Sequence, residues 1–448
     1  MSKRIRDSLF IAFVFLFIVL TILVSLYATG YKFNLRWPPR LSAILVKTGM
    51  LVVDTNPSGA IIYLNDKPQT NPVLSVFSKN YVTTNAKIKN ILPGQYDLRL
   101  ERDGYWPFTG KINIYSGQTS FVENVNLFRN NLPMLVATST TSNLLLSPNR
   151  QYLYAVADAK IINLKTEQVR NLPSTARTTG TFTPNNQVLS SGDIYDPETT
   201  GNDISYNKII GTGATNWYYE DSTGRLYYQT AGALNRLENN GKTSTTLLSG
   251  NNFLSYEPRG DHLFVVVSEK SSSGSEAGKT SLRDYNLKTG NIDNQLTLPP
   301  TGEYRFVFDN RPYLSLYDDK NKTLYLINPS SLSSPEAINN ILGWQWASDT
   351  QLFYYNNWEI YSFDTNRNST SLITRVGETI TGLTLGSGNY LIFLTDRGLS
   401  AVDFKAGVST SLFRAEKINS AVLDTRNNTL YFEAHLGQSD GIYKLLLQ

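Results

Sequence analysis

Glu220, Glu257 and Asp309 are the carboxylates whose placement could serve chemistry, because each falls near the first strand of successive copies of a repeated β unit. Acids gathered at one mouth of a ring of sheets could supply the acid and base of a glycosidase. Two shorter groups, Asp318-Asp319 with Asn321 and Asp364 with Asn366, faintly resemble calcium loops. Neither has alternating ligands closed by a downstream bidentate glutamate, and side-chain-to-backbone turns explain both. His262 and His435 stand apart from any other His, whereas zinc takes three or four ligands. The stretch SGSEAGKT at 273–280 carries the Gly-Lys-Thr of a phosphate loop, but Ser273 stands where the first glycine belongs. The residues after it, SLRDYNLKTG, read as a strand rather than the helix such a loop needs, so a long hairpin loop is expected.

The chain has no cysteine, which excludes disulfides, thiolate metal sites, a cysteine nucleophile and a lipidated cysteine. These residues together give no catalytic, metal-binding or cofactor-binding set, and the expectation is a protein that is not an enzyme. Net charge is +4 without a Lys/Arg run, so the electrostatic footprint of a nucleic-acid binder is missing. Charged residues make up 17%, against about 25% in an average soluble domain. The polar share falls to Asn, Ser and Thr, which suits an extracytoplasmic surface. Aromatics are the remaining candidates for binding. Trp344 and Trp346 could cluster at a ring mouth and stack on sugars, and Tyr105 and Trp106 could meet a wall polymer.

The elements that would position these residues are strands. From 134 to 448 one pattern recurs: an aromatic-rich strand, a second strand, then apolar-Asn/Asp before a turn. Copies begin at Tyr152, Asp193, Leu226, Leu263, Thr323, Leu352, Tyr390 and Thr429. The Asn/Asp positions are Asn163, Asp196, Asn286, Asn328, Asp364 and Asp403, with a looser match at Asn235. Eight copies give about 39 residues each and seven give about 45, the size of a four-stranded propeller blade. Eight blades are preferred. The chain stops at GIYKLLLQ, in register with a third strand, and PMLVATST before the first copy could supply the missing fourth. A ring pinned by its own ends leaves no free edge.

Ahead of the ring, residues 49–130 read as a small all-β unit. Met50–Val53 is a β-branched run, Pro57-Ser58-Gly59-Ala60 a turn, Ile61–Leu64 the return strand and Asn65-Asp66 a second turn. QYDLRLER alternates with period two, between turns at Pro93-Gly94 and Asp103-Gly104. Pro57-Ser58-Gly59-Ala60 followed by IIYLND, then LPGQYDLRLERDGY, resembles the PEGA domain over roughly residues 48–128, with Ser58 in the place of that family's glutamate. The resemblance implies a small β-sandwich of bacterial and archaeal surface proteins, often behind a membrane anchor, and no catalytic residue.

Leu9–Leu26 is uncharged and apolar on every face. Its 18 residues of helix cover about 27 Å, close to a hydrocarbon core of about 30 Å. Leu9–Ala28 is therefore expected to cross the cytoplasmic membrane once, with residues 1–29 as tip and helix and 30–48 as a stalk. Basic residues flank both ends; Lys3, Arg4 and Arg6 are the denser set and place the N-terminus inside and the bulk outside. Ala28-Thr29-Gly30 is a poor cleavage site for a signal peptide.

The expected fold is all-β: one transmembrane helix, a PEGA-like sandwich, then a propeller of seven or eight blades. The expected role is a non-catalytic envelope scaffold whose partner is a protein or a surface polymer. Two other readings stay open: an extracytoplasmic propeller enzyme acting on glycans, and a sensor subunit of the envelope.

Overall fold

A computed structural model describes the chain except residues 1–2, 34–44, 71–79, 140–142, 178–179, 212, 222, 239–240, 242, 270–277 and 310. Most of the phosphate-loop-like stretch at 273–280 lies outside the described residues, as do Pro38 and Pro39.

The N-terminal helix is Lys3–Ala28, and among the described residues none of its apolar span Ile5–Ala28 is buried. After a turn at Gly30, Tyr31–Phe33 pairs antiparallel with Leu45–Lys47. Where it is described, the expected stalk is this antiparallel pair of short strands.

Residues 49–126 form a sandwich of two sheets. One sheet orders Ala86–Ile91, Gly49–Asn56 and Thr119–Asn126, the last two parallel; the other orders Lys67–Pro68, Ile61–Leu64, Gly94–Glu101 and Phe108–Ile114. Alternation along Gly49–Asn56 buries every second residue, as a strand with one face on a core must. Leu51, Val53, Ile62, Leu98, Leu100 and Val125 fill the space between the sheets. At the Pro57 turn Gly59 adopts φ +92°, where any Cβ would be strained, and its N–H bonds Thr84 O at 2.7 Å.

Beyond Asn126, eight four-stranded antiparallel sheets follow among the described residues. Seven are made of consecutive strands, over 144–171, 181–205, 215–249, 253–298, 304–338, 343–375 and 380–414. The eighth takes three strands from 417–446 and its outer strand, Met134–Thr138, from the start of the ring. Met134 faces Lys444 and Thr138 faces Gly441 in that pairing. Shared clusters bind neighbouring blades: Phe264 and Val266 of the fourth pack with Phe306 and Leu316 of the fifth, and Leu144 and Leu153 of the first pack with Tyr431 and Ile442 of the eighth. The last cluster joins the two ends of the repeat, so the blades circle a common axis. This is an eight-bladed propeller.

The recurrent Asn/Asp residues cap the turn between the third and fourth strands. Asp403 Oδ1 accepts the N–H groups of Lys405 and Ala406, at 2.9 and 2.8 Å. Asn163, Asp196, Asn286 and Asp364 do the same two and three residues on, while Asn328 holds Ser330 alone. Four positions after Asn163, Asn286, Asp364 and Asp403 a residue at positive φ closes the turn: Glu167 at +57°, Gly290 at +75°, Asn368 at +46° and Gly407 at +66°. Three readings of the repeat need correction. Asp193 opens the third strand of the second blade, not the second, which is Val188–Ser190. Asn235 lies within the third strand of its blade and accepts a bond from Thr246. Thr323 opens the third strand of the fifth blade, not the second, which is Leu314–Asp318. The confusion has a cause: Asp318-x-x-Asn321-x-Thr323-Leu-Tyr and Asp424-x-x-Asn427-x-Thr429-Leu-Tyr form the same bonded turn, one strand apart in their blades.

The far end of the sandwich meets the ring. Arg129 N–H bonds Leu447 O at 2.9 Å, and Asn56 Nδ2 bonds Gln448 Oε1 at 3.1 Å. Phe128 is buried edge-on against Tyr390, ring centres 5.0 Å apart.

Candidate functional site

The first strands of neighbouring blades lie against one another at the centre of the ring. Two depressions open there and share Arg305. One, of 660 Å³, is lined by Trp217, Tyr218, Leu254, Phe306 and Phe308 from the third to fifth blades and by Gly180 and Thr181 of the second. The other, of 400 Å³, lies between the fifth and sixth blades and holds Asp309, Arg311, Trp344 and Trp346.

The apolar wall is built by ring packing. Tyr218 and Phe308 rings lie 4.1 Å apart, and Trp217 stacks on Tyr228 at 5.0 Å. Gly192 makes room for that indole: a Cβ there would come within 2.4 Å of Trp217. Phe308 and Leu254 remain 46% and 42% exposed.

The basic wall rises from Tyr317. The Arg305 guanidinium lies 5.1 Å above that ring, and Trp344 leans on it with centres 5.2 Å apart. Arg305 Nε donates to Asp319 at 2.5 Å while half of its side chain stays exposed. Arg311 Nη1 pairs with Asp349 at 2.9 Å, and its Nε is buried with no partner among the described residues. A guanidinium keeps N–H groups to spare after one such bond.

The three carboxylates singled out as possible acids are engaged in internal bonds. Glu220 accepts bonds from Tyr227 at 3.0 Å and from Gly260 N–H at 2.8 Å. Asp309 Oδ2 accepts Trp346 Nε1 and Ser315 Oγ, both at 2.6 Å. Glu257 accepts Arg259 Nε at 2.6 Å, and Arg259 also donates to the carbonyls of Arg311 and Tyr313 at the end of the fifth blade's first loop. Burial pushes the Glu257 carboxyl up to about 7; Arg259 opposes that rise and the nearby Asp309 adds to it. One oxygen each of Glu257 and Asp309 is buried without a hydrogen bond among the described residues.

The four aromatic candidates fall in two places. Trp344 borders the 400 Å³ depression; Trp346 is 7% exposed, stacked on Tyr313 and tied to Asp309. Tyr105 and Trp106 lie where the sandwich meets the ring. Tyr105 sits under Arg102, and Trp106 packs against the core of the seventh and eighth blades. Arg305, Phe308 and Leu254 escaped the sequence reading. The signal was present in YRFVF as a period-two strand preceding an aromatic strand, but nothing in it told the innermost strand from the others.

Asp318 and Asp364 cap turns. For Asp318, burial works against the ionised form, and bonds from Asn321, Glu303 and Lys320 overcome it, leaving its pKa below the ordinary value. Among the described residues, one set of His and Asp donors lies within 4.8 Å: His262, Asp284 and Asp293. Sequence distance hid this set. His262 Nδ1 is 2.8 Å from Asp284, whose other oxygen accepts Asn294, while Asp293 accepts Asn286. His435 bonds Asp440 on the adjoining strand at 2.8 Å.

An apolar helix, a β-sandwich and an eight-bladed ring define the class: a β-propeller protein with an appended β module. Residues 48–127 match the PEGA domain. No curated protein matches the chain. Among solved structures it is similar to the Dos1 propeller, at 11% identity and TM-score 0.47 over 69% of this chain and 93% of that one. It is also similar to an oligogalacturonate lyase in complex with manganese, at 11% and 0.38 over 70% and 91%. Apo AztD from Citrobacter koseri matches at 11% and 0.37 over 76% and 86%. The propeller assignment rests on the blades themselves.

Proposed function

We propose that the protein is a single-pass, membrane-anchored scaffold of the cell envelope whose ring binds an anionic surface polymer without cleaving it. Residues 1–29 are tip and anchor, 30–48 the connection, 49–130 the PEGA unit and 134–448 the ring. The bulk lies outside the cytoplasmic membrane, with Leu9–Ala28 as its partner in lipid. Support for the address comes from the unburied apolar helix and the PEGA match directly after it.

The observation that carries the binding role is the pair of depressions joined at Arg305. Exposed aromatic faces suit sugar rings, and guanidinium groups beside them suit carboxylate or phosphate substituents. A non-catalytic role is supported by the internal bonds of Glu220, Glu257 and Asp309, which hold turns and neighbouring blades together.

The test is binding of the purified full chain in detergent to a panel of acidic and neutral surface glycans, with product analysis. Acidic polymers should be retained intact. Arg305→Ala and Trp344→Ala should each weaken retention roughly tenfold, the scale of about 1.4 kcal/mol for a lost charge-assisted or stacking contact. Release of shortened glycans would make the protein an enzyme and overturn the reading.

A further inference from the structure

We infer that the membrane-side end of the PEGA sandwich is a docking surface for anionic lipid headgroups, an inference that rests on the membrane anchor proposed above. The helix exit and that end of the sandwich are tied directly. Gly30 O, two residues past the helix, accepts both the N–H and the Oγ1 of Thr48, each at 2.7 Å. Thr48 O in turn accepts Gly117 N–H at 3.0 Å, and Ser116 Oγ donates to Lys47 O at 3.0 Å. The 115–118 turn is therefore two hydrogen bonds from the point where the chain leaves the helix. A surface so placed lies within about a Debye length, roughly 8 Å, of the headgroups.

Lysines predominate at this end. From position 8 to 53 the chain has no Asp or Glu, and there is none from 67 to 96 or from 104 to 122. Of the sandwich's carboxylates, Asp54 sits in the later half of Gly49–Asn56 and Glu101 faces Ile61 at the ring end; the nearer exposed acids are Asp97, opposite Lys111, and Asp66, which lies 3.5 Å from Arg99. Lys32, Lys47 and Lys89 are exposed. Lys47 lies over Gly117, and Lys89 is two positions before Ile91, which pairs with Gly49 where the first strand begins. Tyr115, 56% exposed, and Tyr31 flank them. Lysines beside tyrosines at a helix exit match the polar and aromatic zone of a bilayer surface.

The absence of cysteine makes a single reporter simple. Full-length protein carrying Gln118→Cys, labelled with an environment-sensitive dye, is reconstituted into nanodiscs of phosphatidylcholine alone or mixed with phosphatidylglycerol. Co-elution with the discs tests the anchor; failure to co-elute defeats the anchor reading itself. In discs that carry the protein, the dye should be roughly twofold better shielded from acrylamide when phosphatidylglycerol is present, and high salt should remove the difference. The combined Lys32→Glu, Lys47→Glu, Lys89→Glu variant should lose the shielding while still co-eluting. A Gln triple variant, which adds no repulsion, should show an intermediate loss. Equal quenching in both kinds of disc, or full shielding in the Glu variant, overturns the inference while leaving the anchor intact.

Discussion

At the residue scale, the ring interior puts a carboxyl group at odds with its surroundings. Glu257 is buried, and its folded pKa of about 7 exceeds the ordinary carboxylate value. The folded state therefore holds a proton that the unfolded chain releases. Stability from this group is present at low pH and is lost as pH rises from the ordinary carboxylate range through about 7. Glu257→Gln keeps an acceptor for Arg259 and removes the titration. The variant should match the parent near pH 5 and melt higher at pH 8, by up to about 2 kcal/mol, in thermal unfolding across that range. An identical pH slope in both proteins would falsify the burial argument. This strain was not legible in the sequence. Glu257 and Asp309 were chosen by their place in the repeat, but their burial and the reach of Arg259 to Tyr313 depend on how adjacent blades stack.

At the element scale, the blade is legible because its turn chemistry is local. An Asp or Asn that accepts two N–H groups two and three residues on, with a left-handed residue closing the turn, depends on five consecutive residues, so Asn286 to Gly290 and Asp403 to Gly407 stand out in the sequence. The same locality misled at Thr323, since a good turn does not say which two strands it joins. Ring closure is the element most open to a single change. A Cβ on Gly441 would meet Leu135 Cδ1 at 2.5 Å and Ala137 O at 3.1 Å, across the pairing that joins Met134–Thr138 to Ser439–Leu446. Gly441→Val should cost about 1–3 kcal/mol, as overpacking does, read as a lower Tm. The strand 134–138 should become accessible to protease before the rest of the ring.

At the scale of the whole molecule, the sandwich is a column with one end at the helix exit and the other on the ring. Phe128 is the pin of the upper joint, packed on Tyr390 among residues of the seventh and eighth blades. Phe128→Ala should cost about 3–5 kcal/mol, and limited proteolysis should cut near 130 in the native state. Trp106 belongs to this joint. Its sequence neighbourhood, a Gly-Tyr-Trp after a hairpin, pointed equally well to an exposed contact, because a surface that meets another unit of the same chain is not marked by any local pattern.

The outer strand of the eighth blade is made about 300 residues before the three it joins. During synthesis, Met134–Thr138 waits unpaired while seven complete sheets emerge behind it. Bringing segments so distant together is entropically slow. The ring's last step is thus also its most delayed, and until it happens both terminal blades offer raw edges to whatever else is in the compartment.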